Sequence, residues 1–456
     1  MRPTLVLLVV GLTRRHLDAR APRLTGFAHA GAVRPLRTVT PAVTCTVQAT
    51  FMTGALPRDH GIVANGWLFR DLMEVWLWRQ SNRLVAGEKI WDAGKRRDPS
   101  FTTANVCWWY NMAAAHDFGV TPRPIYKADG RKLPDCYTQP AELRSELTHE
   151  LGPFPLFQFW GPATSIAASR WIAQAALHIR YTRSPTLTLV YLPHLDYDLQ
   201  RFGPEHPRVD RSLEAIDAVA GELIADAGRD GARVLVISEY AVTAVTTPIH
   251  INRALRKAGL LRVRIEDGGE LLDIPQSLAF AVADHQVAHV YVAKPQLVAE
   301  VRRILASLPG VEQVLDREGQ RAIALDHCRS GELVAIARAD AWFTYYYWLE
   351  DRWAPDFARL VEIHRKPGYD PVELFLDPAI RFPKLAVGMR LVLRSLGFRA
   401  PMNFIPLDAT LVKGSHGRPT GTEDGPVLMS NAPHLLPDGP VDASSLKDLI
   451  LAHVFN

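Results

Sequence analysis

Thr44 lies in the run Pro41-Ala42-Val43-Thr44-Cys45-Thr46-Val47-Gln48-Ala49-Thr50-Phe51-Met52-Thr53-Gly54. A hydroxyl at the start of a helix faces unpaired backbone N–H groups and a dipole that favours a phosphate oxygen. The same position also suits a plain N-cap. Two carboxylates, Asp196 and Glu239, each follow a short apolar run, and His416 stands in Lys413-Gly414-Ser415-His416-Gly417. Ala283-Asp284-His285-Gln286-Val287-Ala288-His289 adds an Asp-His pair and a second histidine. These serve either as accessory ligands or as a satisfied strand-edge network. The stretch from Trp67 to Lys132 is dense in aromatic residues and ends in cations. Asn65 just before it and Trp108, Lys127 and Arg131 within it are candidates to contact an anionic substrate, and core packing accounts equally well for many of the aromatics.

The elements that must hold these groups follow from periodicity. Residues 4–10 read as a buried first strand, Thr186 to Leu192 as a second and Arg233 to Ser238 as a third, with helical spacing from Pro207 to Ala227. Strands alternating with helices indicate an α/β fold with a doubly wound, mainly parallel sheet and helices on both faces. In such a sheet chemistry gathers at the carboxyl ends of strands, where Asp196 and Glu239 fall. Residues 270–345 read differently, as a smaller α+β cap with strands at 287–293, 311–315, 322–325 and 333–338 and a helix at 296–308. The expected division is 1–265 for the first part of the core, 266–385 for the cap and an irregular connection, and 386–456 for the return to the core. Lys384 to Arg399 reads as a basic helix whose charged face is solvated.

With 456 residues, 48% of them hydrophobic and 22% charged, the composition is that of an ordinary globular protein. The net charge of +4 is spread along the chain, so no nucleic-acid polymer is indicated as a partner. The four cysteines lie far apart and form no CxxC pair, so neither a zinc ribbon nor a dense disulfide framework is indicated. No apolar run reaches the ~20 residues of a membrane span, and the expected location is cytoplasmic. The oligomeric state is not readable.

The motifs together resemble the alkaline phosphatase superfamily, on the side of the type I phosphodiesterase/nucleotide pyrophosphatase family that includes phosphonoacetate hydrolase. The run around Thr44, continuing through Leu56-Pro57-Arg58-Asp59-His60-Gly61-Ile62, is similar to the family's nucleophile segment, which places Thr44 at the nucleophile. Counting back from Gly203-Pro204 puts Asp196 on a metal-binding Asp and Gln200 on the His that follows it. Ser238-Glu239-Tyr240 replaces the family's Ser-Asp-His, and His416 matches its late metal-binding His. Val10 stands where the first strand should end in a metal-binding Asp.

The resemblance implies an alkaline-phosphatase-like fold with an inserted cap, and a hydrolase of a phosphodiester, pyrophosphate or phosphonate-type small molecule. Thr44 is the implied nucleophile, with Glu239 as base. The resemblance also implies a divalent metal, zinc or manganese, and the substitutions reduce the expectation from two ions to one, held by Asp196, Gln200, His416 and Glu239. Gln200 offers at most a carbonyl oxygen, a poorer zinc donor than imidazole. Tyr240 is an unusual ligand because a phenol ionises near pH 10. Asp284, His285, His289 and Tyr240 are the accessory candidates. The alternative is a non-catalytic small-molecule-binding protein that keeps the fold.

Overall fold

The computed structural model describes residues 1–129, 131–398 and 400–456. Nine strands form the central sheet: β1 (Thr4–Val9), β2 (Ala32–Arg37), β3 (Thr103–Val106), β4 (Phe118–Pro122), β5 (Cys136–Gln139), β6 (Leu187–Leu192), β7 (Arg233–Ile237), β8 (Val427–Ser430) and β9 (Val441–Asp442). Their order across the sheet is β9-β2-β8-β7-β1-β6-β3-β4-β5. The block β7-β1-β6-β3-β4 is parallel throughout, with β1 between β6 and β7. Antiparallel β8 and β5 flank it. Every residue of β1, β6 and β7 is buried, as expected for runs such as Leu5-Val6-Leu7-Leu8-Val9 covered on both faces.

Three helices matter for the site: α1 (Thr44–Thr53), α2 (His194–Phe202) and α3 (Arg208–Arg229). All ten residues of α1 are buried. Helix α3 packs a buried stripe of Val209, Leu213, Ile216, Ala220 and Leu223 against the sheet, as its i, i+3/i+4 spacing requires.

A second, four-stranded antiparallel sheet has the order Ala279–Asp284, Val287–Val292, Leu333–Ala337, Val311–Leu315. The strand expected at 322–325 is absent. Asp316 accepts from Gly319 N at 3.1 Å and starts a short helix, Arg317–Ala322, which ends in a turn. The late chain returns to the large sheet through β8 and closes against its start, where Arg2 N donates to Val454 O at 2.8 Å.

Candidate active site

The carboxyl ends of β7, β1 and β6 share one edge of the sheet, and the polar groups converge there. After β6 the chain turns into α2 and presents Asp196 in its first turn. After β7 comes Ser238-Glu239-Tyr240, all buried. Thr44 opens α1, with extended Val43 before it. His416 is held by the pairing of Ala42 with Gly417, where Ala42 N donates to Gly417 O at 2.7 Å. Its Nδ1 lies 2.8 Å from Ala42 O. Gly414 lets this loop rest on α2, since a Cβ there would lie 2.1 Å from Leu199 O.

Tyr240 connects the parts. Its ring lies flat on His416, with centroids 3.5 Å apart and planes at 7°. Its hydroxyl is 3.4 Å from Thr44 Oγ1 and lies on the side of the buried Asp196 carboxyl, which it favours in the ionised form. Gln200 donates its amide to Asp196 Oδ2 at 2.6 Å, while its carbonyl oxygen accepts from the Tyr369 hydroxyl at 2.9 Å. The oxygen that would face a metal is therefore engaged by a phenol. Glu239 lies on the Thr44 side of the site and accepts from Gln48 Nε2. Gln48 in turn accepts from Trp109 N at 2.7 Å.

Two buried carboxylate oxygens, Asp196 Oδ1 and Glu239 Oε2, have no hydrogen-bond partner. Burial pushes the Asp196 carboxyl up to about 7 and the Glu239 carboxyl well above the usual range. Among the described residues, neither forms an ion pair with a Lys or Arg. Burial also lowers His416 to about 3, so its ring is neutral near pH 7.

The accessory candidates divide. His285 joins the site: its ring lies 3.6 Å from His416 and 3.8 Å from Tyr369 by centroids, and its buried Nδ1 has no partner. Asp284 instead accepts from Asn65 N at 2.7 Å and Asn65 Nδ2 at 3.0 Å. Asn65 Oδ1 accepts from Cys45 N at 2.9 Å, tying the small sheet to the start of α1. His289 has both ring nitrogens engaged, by Val63 O at 3.0 Å and Gly331 N at 3.2 Å, as a strand-edge network requires. Trp108 is buried against Phe51. Lys127 and Arg131 lie in an exposed excursion where Arg131 pairs with Asp129 at 2.7 Å.

Gln48, Tyr369 and Tyr191 were not expected at the site. Gln48 had a signal, since it lies four residues after Thr44 on the same helix face. Tyr191 carried a weaker one as the penultimate residue of β6, where it lies buried beside Glu239 and Asp196. Tyr369 stands in a stretch without periodicity and gave none.

The donor set decides what metal the site fits. Val10, where a first-strand carboxylate would stand, is a buried core side chain. Tyr240 fills the neighbouring position with a phenol. Among the described residues, no group of three or more His, Cys, Asp or Glu side chains could hold a metal ion. A two-ion centre does not fit. The unpartnered oxygens of Asp196 and Glu239 beside Thr44 fit at most one ion, of the hard, oxygen-preferring kind.

The carboxyl edge of the open, largely parallel sheet thus brings together a threonine, two carboxylates and a histidine. The family model described as "Type I phosphodiesterase / nucleotide pyrophosphatase" matches residues 4–370, and the chain belongs to that family. Similar solved structures include phosphonoacetate hydrolase from Sinorhizobium meliloti 1021 in complex with phosphonoformate. It is 17% identical with a TM-score of 0.62, covering 99% of this chain and 96% of that one. Murine ectonucleotide pyrophosphatase/phosphodiesterase 5 in complex with AMP is 14% identical with a TM-score of 0.60, covering 100% and 95%. The human protein is 13% identical with the same TM-score and coverage. No curated protein matches the chain in sequence.

Gln200→His tests the ligand assignment. It removes the amide that holds Asp196 and supplies an imidazole in its place. Calorimetric titration with zinc or manganese is expected to show tighter binding than wild type. Unchanged affinity would mean that position 200 does not face an ion.

Proposed function

We propose that this chain hydrolyses a phosphodiester, pyrophosphate or phosphonate-type small molecule with Thr44 as nucleophile and Glu239 as the base beside it. The observation that carries this reading is the Thr44 hydroxyl, 3.4 Å from that of Tyr240, at the start of a fully buried helix whose Gln48 holds the buried Glu239 carboxylate. In the reaction, ionised Glu239 accepts the proton of Thr44 Oγ1 as that oxygen bonds to phosphorus. The leaving-group oxygen departs with the electrons of its bond to phosphorus, and water then cleaves the Thr44 ester. Because burial raises the Glu239 carboxyl, its ionised form is a stronger base than an ordinary carboxylate. Gln48 orients Glu239 and Gln200 orients Asp196.

Asp196 and Glu239 would hold a single divalent ion, with His416 behind Tyr240; of zinc and manganese, the two free carboxylate oxygens suit manganese better. When bound it would supply Lewis-acid stabilisation of phosphoryl charge. The Tyr240 hydroxyl supplies a hydrogen-bond donor in the same region, in a place where a second ion would otherwise contribute charge. AMP and phosphonoformate in the similar structures support a small anionic substrate here.

The test is an assay of the protein loaded with zinc, manganese or magnesium against aryl phosphomonoesters, phosphodiesters and phosphonates, paired with elemental analysis. Diesterase turnover with close to one ion per chain is expected. Inactivity across the panel would favour the non-catalytic binding protein, and two tightly held ions would contradict the ligand assignment.

A further inference from the structure

Residues 377–405 leave the body of the protein as an arm closed at its base. Asp377 N donates to Phe404 O at 2.8 Å and Ile405 N to Arg359 O at 3.1 Å. The arm carries α4 (Pro383–Ser395). Phe382, Leu385, Met389, Val392 and Leu396 recur at steps of three and four along it, which lines them up on one face. That stripe is not core. The five side chains are between 58 and 67% exposed. The cations of the arm are Arg381, Lys384, Arg390, Arg394 and Arg399, and residues 378–407 contain no Asp or Glu. At about 100° per residue, position 390 falls outside the apolar arc.

We propose that this arm docks the protein on an anionic membrane surface, with the apolar stripe in the acyl boundary and the cations among the headgroups. An amphipathic helix with an exposed apolar face and only positive charge has the composition of an interfacial helix. Anionic headgroups turn the five cations into attraction. A second copy is the poorer occupant. Two 13-residue helices are each only about 20 Å long and bury well under the roughly 1,200 Å² of a stable interface. Their like charges would also repel at close range. The helix lies on the surface and does not cross it, since no helix among the described residues is long and apolar enough to span a membrane.

The test is flotation of the full chain with vesicles of phosphatidylcholine and phosphatidylglycerol in equal parts, against phosphatidylcholine alone. At low salt, retention on the anionic vesicles is expected to exceed that on neutral ones by about tenfold or more. The double variant Leu385→Asp, Met389→Asp is expected to lose that retention with an unchanged melting temperature, and Arg390→Glu to weaken it. Absence of retention on the anionic vesicles overturns the proposal. So does equal retention on both, or a dimer by light scattering that the double variant dissolves, which would assign the stripe to a second copy.

Discussion

Thr44→Val is expected to eliminate turnover, by about a thousandfold or more, while the fold remains. The rate effect follows from losing the nucleophile, not a supporting contact. The helix loses no cap, because the N-cap position of α1 is Val43 and no side chain caps it, contrary to the N-cap reading of Thr44. Glu239→Gln separates two ways of losing activity. It preserves the shape beside Gln48 but removes the base, so a smaller loss with a changed pH profile is expected, roughly a hundredfold. If Thr44→Val keeps much of the activity while Glu239→Gln abolishes it, Glu239 activates water and Thr44 takes no covalent part.

Acid is expected to unfold the protein well before ordinary surface carboxylates titrate. Burial holds His60 and His416 at about 3, His16, His116, His289 and His453 at about 4, and His285 well below its usual range. Each is neutral in the folded chain but binds a proton in the unfolded chain below about 6.5. Their contribution is therefore present above pH 6.5 and lost as pH falls toward 3 to 4. Asp196 and Asp284, raised to about 7, act in the opposite sense: their contribution is complete below the ordinary carboxylate value of 3.8 and lost as pH rises through 7. Glu239 adds to that side. The histidines outnumber these carboxylates, so stability should fall by several kcal/mol between pH 6.5 and 4.5, on the order set by about 1.4 kcal/mol per pH step per group. Thermal melts across that range check the sign. A melting temperature that rises on acidification would mean the buried carboxylates dominate.

The parallel core was legible because β1, β6 and β7 are short apolar runs buried on both faces, and each lies within a residue or two of its expected bounds. The arm helix was also legible as a helix. Its solvated face was not the whole story, because pattern alone cannot tell an apolar stripe that packs from one left exposed. Residues 322–325 failed as a strand because a capping aspartate six residues earlier redirected the chain into a helix.

At the site, motifs placed Thr44, Asp196, Glu239 and His416 near the carboxyl edge without showing what holds them. Tyr369 reaches Gln200 from 169 residues away, and Asp284 reaches Asn65 from 219. Such pairings leave no local spacing. The Tyr240 substitution read as a lost ligand. In the folded chain it is also a gained hydrogen-bonding hydroxyl, because a phenol is long enough to reach Thr44.

The central claim is that Thr44 attacks phosphorus, and its most direct measurement is mass spectrometry of the protein quenched during turnover of an aryl phosphodiester. A phosphoryl-ester adduct on the peptide containing Thr44, present in wild type and absent in Thr44→Val, is the predicted result. Sustained turnover with no adduct on that peptide, and retained in Thr44→Val, would contradict it.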